Sequence, residues 1–246
     1  MMNKTTISKD LLKMYQTAQS QMVYWQSCHD SVNEEILTMD SRKLELEEKI
    51  TSGMGKLDIL PAVQKNLIKH DISVWKSEMA QIEKNKKQYQ KLGSISQKLS
   101  LVYGSATKDF GKLFMLNDEA SLLQAKTLPL NLEKLSKNLD EQIEKWQTWK
   151  NRYDTEAEQF MDKYNECSDS LHDLRGKLGQ KDTKKATNNY LSEIKKLETE
   201  RKQYKELAVF YSKVDKIANS ISQSVQIAKE DVEKKVLASD TTQIKK

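Results

Sequence analysis

Apolar residues recur at alternating spacings of three and four along four stretches of the chain, the period of a helix with one buried stripe. The first stretch carries Ile7, Leu11, Met14, Ala18, Met22 and Trp25, then Val32, Ile36 and Met39 on to Ile50, interrupted by His29 and Lys43. It predicts a helix over 7–51, ended where Gly53 and Gly55 stand in "TSGMGK". The second predicts a helix over 61–116. Pro61 suits its first turn, and the stripe is Ile68, Ile72, Trp75, Met79, Ile82, Tyr89, Leu92, Leu99, Val102, Ala106, Phe110 and Leu113. Its less charged half holds Gly93, Gly104 and Gly111, which predict a bend or a close helix crossing.

The third stripe is the most regular. It runs from Leu132, Leu135, Leu139 and Ile143 through Trp146, Trp149, Tyr153, Ala157, Phe160 and Tyr164 to Cys167, Leu171, Leu174 and Leu178, and with Pro129 near its start it predicts a helix over 128–178. The fourth, over 187–237, carries Ile194, Leu197, Tyr204, Leu207, Phe210 and Val214. Its spacing from Val214 onward is eleven-residue, which keeps the stripe nearly straight. Residues 238–246 are expected to fray.

Composition supports the same class. Seven glycines and two prolines in 246 residues leave little material for the turns of a sheet, and 37% hydrophobic against 31% charged residues is lean for a thick core. The expected fold is all-α, an elongated antiparallel bundle or coiled coil of about four long helices forming a single domain over 1–246. Such helices would be about 65–80 Å long at the α-helical rise. Each exposes flanks beside its stripe, so a homodimer would be natural.

The stretch "EKWQTWKNRY" places two of the four tryptophans three residues apart among charges. Trp146 and Trp149 both lie on the apolar stripe, so they are read as seam-filling aromatics, together with Trp25, Trp75, Phe160 and Phe210.

Motifs for chemistry are missing from the sequence. His29, His70 and His172 are the only histidines, no Glu-x-x-His pairs occur, and Asp169 with His172 makes at most a weak ligand pair on a solvated flank. Cys28 and His29 are adjacent, and adjacent helical residues point about 100° apart, which is unsuited to a nucleophile and its base. Phosphate loops, dinucleotide loops and nucleophile elbows are also missing. The expectation is a protein without catalytic residues, cofactor or metal. Two cysteines without a CxxC spacing suit a reducing compartment, and the N-terminus lacks the apolar region of a secretory signal. A cytoplasmic place is expected, with a peripheral position at a membrane or signal-less secretion left open.

The charge of +5 comes from 41 basic and 36 acidic residues, so the two signs are interleaved. Basic residues gather in two places, Lys84, Lys86, Lys87 and Lys91 in "KNKKQYQK", and Lys181, Lys184, Lys185, Lys195, Lys196, Arg201, Lys202 and Lys205 around the last turn and fourth helix. An ordinary solvated helix face is the simplest account of both, and an anionic membrane surface is the leading partner beyond it. Nucleic acid is disfavoured because Tyr89 and Tyr204 fall on the apolar stripes, away from the lysines.

From about residue 75 onward, "KLGSISQKLSLVYGSATKDFGKLFML", the acidic connector "NDEAS", "LEKLSKNLDEQIEKWQTWKNRY" and "KKATNNYLSEIKKLETERKQYKELAVFY" follow in an order that resembles the BAR domain, especially the sorting-nexin type. The resemblance implies a crescent dimer whose concave lysines sense or impose membrane curvature, with Lys181, Lys184 and Lys185 at a helix tip. Beside it, the residues themselves lead to a non-catalytic scaffold or adaptor that binds other helical proteins, or itself, along its helix flanks, in an assembly that could be membrane-associated. A secreted helical needle-tip or translocator-like protein of a bacterial host-contact system is a third class that long paired helices permit.

Overall fold

The computed structural model describes residues 8–115, 131–178 and 184–235. These form four helices, α1 (Lys9–Lys56), α2 (Ala62–Phe114), α3 (Leu132–Leu178) and α4 (Lys184–Lys235), and among the described residues there is no strand. The protein is an all-α helical bundle. The connector at 117–127, Pro129, Lys181 and the tail at 238–246 lie outside the described residues.

Local chemistry sets the helix ends. Ser8 caps α1, its Oγ accepting from the Leu11 N–H at 3.3 Å. Pro61 stands just before α2, and its carbonyl accepts the Lys65 N–H at 3.0 Å, the first bond of the helix. α3 begins at Leu132, four residues later than the sequence reading, because Asn131 caps it by accepting from the Lys134 N–H at 2.9 Å. α2 closes without a glycine: Met115 takes a left-handed backbone, with φ of 52°.

Gly53 and Gly55 do not end α1, which continues to Lys56. Neither has a positive φ. Gly53 is a buried packing residue: a Cβ placed there would meet the Ile72 side chain at 3.3 Å and Trp75 at 3.4 Å. The absent side chain lets the α1 backbone approach α2, and the helix ends one turn later.

Contacts divide the helices into two compact units. The first takes α1, α2 as far as Lys108, α3 as far as Leu139, and α4 from Gln226. Its core includes Met14, Trp25 and Val32 of α1, Leu92, Leu99 and Tyr103 of α2, Leu139 of α3 and Val232 of α4, each almost wholly removed from water. In this unit α1 and α2 run antiparallel, since His29 meets Gly93, Lys43 meets Glu83 and Gly53 meets Ile72. The second unit takes α2 from Asp109, α3 from Asp140 and α4 as far as Val225. There α3 and α4 are antiparallel, with Tyr153 on Tyr211, Phe160 on Tyr204, and Arg175 paired with Glu198.

The buried arc of α2 changes width along the helix. Over 62–91 only Ile72 is buried, and the other stripe residues are half-exposed, as expected where one neighbour covers one flank. Over 92–106 the arc widens to Leu92, Gly93, Ile95, Ser96, Leu99, Ser100, Tyr103 and Ala106. Tyr103 takes the buried place that the spacing assigns to Val102, which is half-exposed. Gly93 and Gly104 mark the close crossing with α1: a Cβ would meet Val32 Cγ1 at 3.1 Å from the first and Met22 Sδ at 3.4 Å from the second. α2 continues as one helix through both.

Candidate interaction surfaces

The six seam aromatics do not share one degree of burial. Trp25 and Trp146 are fully enclosed, Trp149 nearly so, and Trp75, Phe160 and Phe210 are half-buried. In the second unit they belong to an aromatic row. Trp146 meets Trp149 edge to face at 4.8 Å and lies parallel to Phe110 at 6.3 Å, while Tyr211 stacks on both Tyr153 and Phe160. Cations close the row's outer edges, Lys145 over Trp149 at 5.2 Å and Lys163 over Phe160 at 5.2 Å. The tryptophans are therefore packing residues whose polar neighbours lie at the rim.

The two polar interruptions of the first stripe have specific partners. His29 Nδ1 donates to the Gly93 carbonyl at 3.0 Å, and its Nε2 lies 3.2 Å from Asn33 Nδ2. Lys43 reaches Glu83 and is also near Glu47. The Glu83 carboxylate is held below the usual glutamate range by the Lys43 hydrogen bond first, then by its charge, with Lys86 and Lys87 adding to it. Arg42 pairs with Glu78 at 2.8 Å and with Glu45 at 2.9 Å, so ion pairs cross the α1/α2 seam on both of its sides.

The basic clusters divide by exposure and pairing. Lys86 is tied to Asp40 across the seam and is only 24% exposed, so it leaves the set of available lysines. Lys84, Lys87 and Lys91 are exposed on α2. Lys69 and Lys76, which the sequence reading did not single out, are exposed on the same helix. In the second cluster Lys184 and Lys185 fall in the first turn of α4, Lys195 and Lys202 are exposed, Lys196 pairs with Glu200 at 3.8 Å, Arg201 is half-buried, and Lys205 sits over the Tyr164 ring at 5.7 Å. An acidic neighbour thus engages Lys196 and a ring contact engages Lys205.

Exposed apolar side chains are unevenly placed. Among the described residues, seven of the fourteen large ones, Leu37, Leu44, Met54, Ile59, Val63, Leu67 and Val74, fall between residues 37 and 74. Val63, Leu67 and Val74 are spaced by four and seven, so they share one flank of α2. An open groove of about 530 Å³ lies along the same hairpin, with Trp75, Ile68 and Gly53 at its floor and Glu45, Glu48, Lys49, Ser52 and Lys56 along its edge. Its mixed charges select no ionic ligand.

Burial shifts further titratable groups. Burial pushes the Cys28 thiol up to about 11 against the lowering effect of a Tyr24 hydrogen bond, and the reactive thiolate is suppressed. Asp215 is raised by burial and by Asp154, with Lys150 and Lys216 opposing. Among the described residues no three His, Cys, Asp or Glu side chains converge as metal ligands, and no helix is long and apolar enough to cross a membrane. Comparison with family models, with curated proteins and with solved structures finds no match to this chain.

Proposed function

We propose that this chain is a non-catalytic helical scaffold or adaptor whose working surface is the α1/α2 hairpin over residues 37–74. The observation that carries the reading is the concentration of exposed apolar side chains there, and above all the flank of Val63, Leu67 and Val74 beside the Trp75 groove. Soluble chains seldom leave such a flank open without use, and its helical spacing matches the apolar face of an amphipathic partner helix. The hairpin supports this role mechanically: Arg42, Lys43 and Lys86 bind α1 to α2 by ion pairs, so the flank is held without a thick core beneath it.

The test is cross-linking of the full chain in its own cells, comparing wild type with V63S/L67S/V74S. The expected result is loss of specific cross-links at the hairpin with an unchanged thermal midpoint. Equal cross-linking by the two proteins would refute the assignment.

A further inference from the structure

We propose that the lysine flank of α2, formed by Lys69, Lys76, Lys84, Lys87 and Lys91, is a docking surface for an anionic lipid bilayer. Helical geometry brings these residues together. Lys69, Lys76 and Lys87 are separated by seven and eleven residues, which returns each to within about 20° of the same side of the helix, and Lys84 and Lys91 lie within about 80° of them. All five side chains are exposed, and they extend over about 33 Å of helix. This sector is distinct from both the seam and the flank of Val63, Leu67 and Val74, so the inference does not rest on the scaffold reading.

The acids nearest the flank form their ion pairs with other cations of the hairpin. Glu83 is held by Lys43, and Asp40 by Lys86. The five lysines have no carboxylate within ion-pair distance among the described residues. Glu83 is the acid of α2 that borders the sector, and it pairs with Lys43 of α1 while Lys87 also interacts with its charge.

The chemistry of the row favours a bilayer over nucleic acid. It consists of lysines, point charges on flexible stems, with no arginine to grip a phosphate or base edge in two places. It also has no exposed ring for base stacking: Tyr89 is half-buried, and Trp75 faces the groove on the other side. A row of ammonium groups along one helical flank can approach a sheet of anionic headgroups together, each raising the partition constant about fivefold near the surface.

The experiment is co-sedimentation of the full chain with phosphatidylcholine vesicles, with and without phosphatidylserine, over a salt series, alongside K69E/K76E/K87E and the α4 control K195E/K196E/K202E. Duplex DNA binding is measured in the same buffers, and circular dichroism checks that each variant keeps its helix content. The proposal expects wild-type binding that requires phosphatidylserine and weakens with salt, a loss of about 100-fold or more in the α2 variant, and a smaller change in the control. It is overturned if wild type ignores phosphatidylserine at low salt, if the α2 variant binds as wild type does, if the α4 control loses more, or if DNA is bound more tightly than the vesicles. Retained vesicle binding by V63S/L67S/V74S would separate this surface from the protein-binding flank.

Discussion

Replacing Trp146 by alanine tests the central packing claim most directly. Trp146 is fully buried, and its ring contacts Trp149 and Phe110. A tryptophan of this kind removes about 200–250 Å² from water, and the part lost on truncation to alanine corresponds to about 4 kcal/mol at 25 cal/mol per Å². A cavity that collapses poorly adds to this, and large-to-alanine changes at aromatic sites cost about 3–5 kcal/mol. Trp149 is 8% exposed and keeps a rim contact with Lys145, so Trp149→Ala should cost somewhat less, about 3 kcal/mol. The two rings touch at 4.8 Å, and either single change already destroys their edge-to-face contact. The double variant should therefore lose about 1 kcal/mol less than the sum of the singles. Urea unfolding followed by circular dichroism avoids the loss of fluorescence. A Trp146→Ala shift below about 1 kcal/mol with helix content retained would refute the seam assignment, as would strict additivity of the pair.

Gly55 and Gly176 are helical with open space where a Cβ would stand, so Gly55→Ala and Gly176→Ala should each stabilise by about 0.5–1 kcal/mol in thermal or urea unfolding; destabilisation would show that either glycine is needed for a turn. Met115→Gly should also stabilise, by about 1 kcal/mol, because it relieves a left-handed backbone at an exposed side chain, and no gain in midpoint would contradict that geometry. Cys28 should react with a thiol reagent at neutral pH only as fast as the protein opens, since its buried thiol titrates near 11; rapid labelling of the native chain would show an exposed thiolate. Glu83 titrates below its unfolded value, so its contribution to stability is present above the ordinary glutamate range and is lost as pH falls through the lowered value. Glu83→Gln should flatten stability against pH in that acid window, and an unchanged acid slope in urea midpoints would refute the Lys43 pairing.

The helices were legible because burial imposes a period that charge does not erase. Trp146, Tyr153, Cys167 and Leu171 each fall on the regular stripe of α3 and are buried as the spacing demands. Where a helix meets more than one neighbour the single-stripe rule loses resolution, which is why Tyr103 takes the buried place and Val102 stays half-exposed. The glycines show a different limit. Gly53 and Gly55 have the sequence signature of a helix end, yet a glycine that permits close approach of a second helix is spelled the same way. Only the positions of Ile72 and Trp75 distinguish the two uses.

The same limit governs the charged residues, and it shapes the functional inference. A run such as "KNKKQYQK" reads as one cluster, but α-helical geometry turns Lys86 into the seam toward Asp40 and leaves Lys84, Lys87 and Lys91 outside. Lys69 and Lys76, about four and two helical turns before that run, join the exposed three on one flank. The acids nearest this flank, Glu83 and Asp40, are paired with Lys43 and Lys86 within the hairpin, a cross-helix fact that no linear window contains. The interhelical ion pairs thus have two consequences. They join α1 to α2 where few apolar groups are fully buried, and one of them ties Glu83, the acid that borders the lysine row, to Lys43 of α1.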